Sequence, residues 1–248
     1  MGSSEIEADV VAEGVRVLSA AREQDLPLRL LGGVAVRLRA RNGLPPALER
    51  RYGDLDFVTA KRASGPAQQF FRDLGYEPHV SFNALNSQER LLFFDNEHGR
   101  QVDVFVGAFR MCHEVPLEGR IELDETSIPL AELLLTKLQV IELNEKDVRD
   151  AVAVLHDREL GDTDGETVNA GRIAQLCAED WGLWRTITRN LEACRKQAGT
   201  YGEEFAGVST RFSELEERIE AAPKSRAWRL RAKIGERKRW YELPEERG

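Results

Sequence analysis

The sequence predicts an α+β protein, a mixed β-sheet with flanking helices followed by a helical C-terminal region. Three observations carry that prediction. Up to about residue 125, short apolar runs bounded by Gly, Pro and Asn alternate with amphipathic stretches. After Pro129 the strand signals stop and helical periodicity takes over. The 248 residues are 42% hydrophobic, enough for a core and too apolar for a disordered chain. Residues 1–125 therefore form the expected α+β part and residues 126–248 the expected helical part.

The elements follow in order. Ile6 to Gln24 places Val10, Val11, Val15, Val17 and Leu18 on roughly one face, which predicts a helix. Leu28-Arg29-Leu30-Leu31 is a short apolar run ending in Gly32-Gly33, and Val34 to Ala40 is helical. Asn42-Gly43-Leu44-Pro45-Pro46 marks a loop. Leu55 to Thr59 predicts a strand, and Pro66 to Leu74 a helix stopped by Gly75. His79 to Leu85, Arg90 to Phe94 and Val102 to Val106 are strand-like. The last two are joined by Asp95-Asn96-Glu97-His98-Gly99, a hairpin-turn composition. Leu130 to Leu143 and Lys146 to Leu155 predict helices joined near Asn144. From Ala170 onward the pattern is helical, with breaks near Gly199 to Gly202 and at Ala222-Pro223.

Charge and cysteine content exclude several classes. The net charge of −8 argues against a chain that coats nucleic acid over its whole surface. From Ala221 to Gly248 nine Lys and Arg face four Glu, a net +5, so the preceding residues carry −13. This basic tail suits a phosphate-bearing partner, and equally a tail that neutralises the body or an acidic partner. Trp228, Trp240 and Tyr241 interleave with its cations, the composition of a nucleic-acid grip or of an amphipathic helix packed on the body. Cys112, Cys177 and Cys194 are widely spaced with no CxxC, and the four histidines form no HExxH. No apolar run approaches the roughly 18–20 residues of a membrane span. The N-terminus MGSSEIEADV is acidic where a signal peptide needs a basic end. The expectation is a reduced, cytoplasmic protein with no membrane partner.

Three segments carry candidate chemistry. Gly32-Gly33 closes a strand and opens a helix, so backbone N–H groups and a helix N-terminus can approach an anion. Taken alone the pair is also a tight strand-to-helix turn. In Tyr52-Gly53-Asp54-Leu55-Asp56-Phe57-Val58, strand alternation puts Asp54 and Asp56 on one side and Leu55 and Phe57 on the other. Two close carboxylates repel unless a cation lies between them, and Mg²⁺ prefers oxygen ligands. In Gln101-Val102-Asp103-Val104-Phe105-Val106 a single carboxylate interrupts an apolar strand, so it needs a partner or a metal if buried. If the two strands are neighbours, three carboxylates converge, a set able to hold metal ions.

The order of these segments resembles the nucleotidyltransferase superfamily built on the polymerase-beta-like palm. The segment Arg50-Arg51-Tyr52-Gly53-Asp54-Leu55-Asp56-Phe57 is similar to the Arg-x-Ser-x-Asp-x-Asp segment of its AbiEii-like toxin branch, which includes the MenT group. The helices add Lys137, within Ala131 to Leu138, and then Lys146-Asp147-Val148-Arg149-Asp150. This pattern is similar to the branch's lysine helix followed by Lys/Arg-Asp-x-x-Asp. Without the earlier motifs, Lys137, Asp147 and Asp150 read as a charged, solvent-facing outer face.

The resemblance spans roughly residues 28 to 158 and implies a nucleotidyltransferase-like sheet. It also implies transfer of a nucleoside monophosphate from an NTP to an acceptor hydroxyl. Mg²⁺ or Mn²⁺ would be held by Asp54, Asp56 and Asp103. The catalytic set would be Asp54, Asp56, Asp103, Lys137 and Asp147, and the nucleotide-binding set Gly32, Gly33, Lys137 and Asp150. In the branch the acceptor is a tRNA 3′ end and an antitoxin neutralises the enzyme, so tRNA and an antitoxin are the implied partners. Two departures stand out: Val34-Ala35 replaces the Ser or Thr that often follows Gly-Gly, and Tyr52 replaces the branch serine. Other readings of the same fold are transfer to a small molecule or a protein hydroxyl, and a non-catalytic nucleotide-binding module.

Overall fold

The computed structural model describes residues 5–243. Gly2-Ser3-Ser4 and the tail residue Arg247 lie outside the described residues. The chain divides into two units. One holds the chain up to Arg39 with Arg50–Arg110 and Val115–Pro129. The other holds Ala40–Glu49, Met111–Glu114 and the chain from Leu130 onward.

The first unit runs α1 (Val10–Glu23), β1 (Leu28–Leu31), α2 (Gly32–Arg39), β2 (Leu55–Thr59), α3 (Ser64–Asp73), β3 (Glu77–Pro78), α4 (Val80–Asn86), β4 (Arg90–Asp95) and β5 (Arg100–Val106). Its five strands lie in the order β1-β2-β5-β4-β3. The β2–β5 pair is parallel and the others antiparallel, so the sheet is mixed. One face carries Phe57 and Phe93, against which Phe71 of α3 packs with ring centroids 5.7 and 5.0 Å apart. By strand alternation Asp56 and Asp103 belong to the other face. The β4–β5 hairpin closes on Asp95, whose carboxylate accepts from the Arg100 guanidinium at 2.7 Å and from the Glu97 and His98 N–H groups.

The start of α1 is fixed by Asp9, whose side chain accepts from the Val11 and Ala12 N–H groups. Further along, buried Glu13 accepts from both Arg16 nitrogens at 2.7 Å, from the Glu7 N–H and from the Tyr76 hydroxyl. Burial pushes this carboxyl up, but the hydrogen bonds from Arg16, Tyr76 and Glu7 outweigh it and hold it below its ordinary value of 4.5. A lowered folded-state value stabilises above the unfolded one and is lost as pH falls through the folded one. The first unit should therefore lose stability as pH drops below about 4.5. Glu13→Gln should melt lower at pH 7 and show a shallower acid dependence in thermal melts from pH 7 to pH 3. Parallel pH profiles for the two proteins would remove Glu13 from the account.

One predicted strand is a helix. His79 to Leu85 has strand composition, yet Val80–Asn86 forms α4. Asn83 is the reason. Its amide donates to Leu92 O at 3.0 Å and accepts from Leu92 N at 2.7 Å, so it extends the β4 ladder where β3 ends. The His79 ring caps the helix, accepting from Phe82 N at 3.3 Å. Val80 and Leu85 are left exposed.

The second unit is helical. It contains α5 (Leu130–Leu138), α6 (Glu145–Asp157), α7 (Ala170–Glu179), α8 (Trp181–Ala198), α9 (Ala206–Ala221) and α10 (Arg226–Ile234). All nine residues of α5 are buried, which makes it the central helix of this unit. Its one acid, Glu132, pairs with Arg172 of α7 at 3.0 Å. α5 stops at Leu138 rather than running to Leu143, because the Asn190 amide takes the carbonyls of Leu138 and Val140 at 2.8 and 2.6 Å. Trp228 meets Trp184 edge-on at 5.1 Å and Trp240 meets Trp181 at 5.9 Å. The tail tryptophans thus pack within this unit. Among the described residues, no helix is long and apolar enough to cross a membrane.

Candidate functional site

The strand register gathers the glycine pair and two of the three carboxylates. Leu31, the last residue of β1, is the register partner of Asp56, so the chain turns into α2 beside that carboxylate. Gly32 makes the turn with φ +72°, a conformation L side chains rarely adopt, and a side chain there would overlap Asp56 Oδ2. A side chain on Gly33 would overlap the Arg50 guanidinium and meet Tyr52 Cδ1 at 3.0 Å. Arg50 in turn lies 4.4 Å over the Tyr52 ring. The backbone of the turn therefore demands Gly32, and Gly33 has a guanidinium against its face.

Asp56 and Asp103 are register partners on parallel neighbours β2 and β5. Partners of that kind stand about 4.8 Å apart on one face of the sheet. Asp56 is half-buried and Asp103 is 3% exposed. Asp54 falls one residue ahead of β2 and is exposed. Asp103 Oδ1 accepts from Arg90 Nε at 2.6 Å and lies 2.6 Å from its terminal nitrogen. Asp103 Oδ2 accepts from Gln101 Nε2 at 2.7 Å. Among the described residues, no three His, Cys, Asp or Glu side chains are gathered closely enough to hold a metal ion.

Arg90 and Gln101 were not among the sequence candidates. A signal for Arg90 existed. A hairpin closed by Asp95 and Arg100 puts Leu92 opposite Asp103 and Arg90 opposite Phe105, so Arg90 is the cation one pleat from the buried carboxylate.

The remaining candidates belong to the helical unit. Lys137 Nζ lies 2.9 Å from Asp150 Oδ2 and 3.7 Å from Asp147 Oδ1. Asn144 caps α6 by accepting from Asp147 N at 3.0 Å, which places Asp147 in the first turn and Asp150 one turn on. Lys137 is 9% exposed and Asp150 2%. The lysine is therefore not a solvent-facing surface residue.

The donor chemistry at β2 and β5 fits a hard divalent cation. Asp56 and Asp103 supply carboxylates as register partners, and the side-chain-free Gly32 lets Asp56 Oδ2 lie against the turn into α2.

A scan of family models matches none to this chain, and a search of curated proteins finds no match. Among solved structures, the chain is similar to the lincosamide antibiotic adenylyltransferase LnuA in its lincomycin-bound form. The superposition has a TM-score of 0.41 and 16% identity and covers 56% of this chain and 92% of that one.

Proposed function

We propose that this protein is a metal-dependent nucleotidyltransferase that moves a nucleoside monophosphate from an NTP to an acceptor hydroxyl. The observation that carries the reading is the junction of Gly32-Gly33 with the Asp56–Asp103 register pair. A triphosphate needs backbone N–H groups within reach, and its divalent cation needs hard oxygen donors close by. Asp56 and Asp103, with Asp54 beside them, are the residues to hold Mg²⁺ or Mn²⁺. Bound there, the cation supplies charge neutralisation of the phosphates and of the departing pyrophosphate. The chain's own contribution is positional. The amide groups at Gly32 and Gly33 approach the triphosphate, and Arg50 adds positive charge beside Gly33. Asp103, the third carboxylate of the reading, is the one to help deprotonate the acceptor hydroxyl. The reading assigns Lys137 to the triphosphate charge, with Asp147 and Asp150 orienting it.

The toxin branch supplies the finer reading, in which the acceptor is a tRNA 3′ end and an antitoxin neutralises the enzyme in the cytoplasm. Arg226, Arg229 and Lys233 are exposed at helical spacing on α10 and would meet the RNA phosphates. Base stacking by Trp228 or Trp240 is not part of this reading, because both rings are engaged with other tryptophans. The alternative is a small-molecule or protein acceptor, and behind it a module that binds NTP without turnover. Incubation with each labelled NTP, Mg²⁺ and total tRNA separates them. Labelled tRNA is expected from the wild type, and a charge-reversed Arg226→Glu/Arg229→Glu/Lys233→Glu variant should lose most of that transfer. Full tRNA labelling by that variant would remove α10 from the interface, and no transfer by the wild type with any NTP or acceptor would reject the enzyme reading.

A further inference from the structure

Asp103 is buried between two apolar strand neighbours, Val102 and Val104, each 0% exposed. A carboxylate in that position is costly unless it is paired. Arg90 provides the pairing from β4, with both nitrogens 2.6 Å from Oδ1 and its guanidinium carbon 4.9 Å over the Phe105 ring. Gln101 occupies one position on Oδ2. In the sheet order, β4 with Arg90 lies on one side of β5, and β2 with Asp56 lies on the other. Arg90 on β4 therefore holds Oδ1, while Gln101 on β5 holds Oδ2.

We infer that Arg90 is a positioning residue and the resident counter-cation of Asp103. It holds the carboxylate in place through Oδ1, and it sets the charge that the Asp56–Asp103 pair offers to a divalent cation. This rests on the metal-dependent reading above. Cation binding at this pair is then a competition between the incoming ion and Arg90 for one buried carboxylate. Without Arg90 the free protein carries an uncompensated buried charge, and a divalent cation becomes its replacement.

The test is Mn²⁺ binding by calorimetry together with thermal melts with and without Mn²⁺, on the wild type, Arg90→Met and Arg90→Lys. Arg90→Met should bind Mn²⁺ about tenfold more tightly than the wild type, because a nearby positive charge has gone. It should melt lower in metal-free buffer and regain most of that deficit in saturating Mn²⁺. Arg90→Lys keeps the charge but loses the two-nitrogen grip and the stack on Phe105, so its affinity should fall between those of the wild type and Arg90→Met. Equal or weaker Mn²⁺ binding by Arg90→Met, or a melting deficit that Mn²⁺ leaves unchanged, would make Arg90 a purely structural residue and overturn the inference. Should Arg90→Met fail to fold without metal, the Arg90→Met/Asp103→Asn pair removes both charges. It should fold and lose the Mn²⁺ response, and an undiminished response from it overturns the inference equally. Wild type and Arg90→Met both silent to millimolar Mn²⁺ would sink the metal-dependent reading itself, whereas wild-type binding with unchanged Arg90→Met affinity sinks only the role of Arg90.

Discussion

Asp56→Asn is expected to cut nucleotidyl transfer by roughly 100- to 1000-fold, the usual scale for removing one group that stabilises transition-state charge. That loss corresponds to about 3–4 kcal/mol of barrier. Asp56 is singled out because it links the glycine turn to the Asp103 strand. It is the register partner of Leu31 and of Asp103, and its Oδ2 fills the space over Gly32. Asparagine keeps the size and one oxygen but removes the negative charge, so the packing against Gly32 survives while cation holding does not. The melting temperature should stay close to wild type, since Asp56 is only half-buried. Steady-state transfer with labelled NTP and a thermal melt on the same preparation check both halves. A wild-type rate from Asp56→Asn would strip the Asp-x-Asp segment of its assigned chemistry.

The second large effect is expected in the helical unit, where stability and activity have to be separated. Lys137→Met leaves Asp150, 2% exposed, without the lysine 2.9 Å away. Removing one partner of a buried ion pair costs about 3–5 kcal/mol. In a protein of this size that amounts to roughly a 10 °C fall in melting temperature. The double variant Lys137→Met/Asp150→Leu removes both charges and with them the desolvation cost, so it should recover more than half of the loss. The proposed function further expects the stable double variant to stay impaired in transfer. Full activity from it would leave Lys137 as a structural lysine on α5, and equal destabilisation of single and double variants would remove the ion pair from the stability account.

Much of the fold was legible because its signals are local. Leu28–Leu31 and Leu55–Thr59 are strands at the predicted boundaries, and Asn144 marks the start of α6. The chain failed to signal α4 for a tertiary reason. Whether 80–86 is strand or helix is decided by the Asn83 amide docking onto the main chain of Leu92, which no local periodicity records. The end of α5 was hidden in the same way, since Asn190 on α8 takes the carbonyls that would have continued it. At the site, the glycine turn and the carboxylate-bearing strands were visible as composition. The neighbour relation between β2 and β5 was only a condition, because a parallel pair is joined through distant sequence. Arg90 escaped notice because it starts a strand and looks like an edge cation until the hairpin register is counted out.

The most direct test is a crystal of the protein with Mn²⁺ and a non-hydrolysable NTP, read by anomalous scattering. The account predicts a manganese peak within ligand distance of Asp56 and Asp103, with the nucleotide phosphates against Gly32 and Gly33. Nucleotide bound elsewhere, or manganese ligated by neither of these two carboxylates, would contradict it.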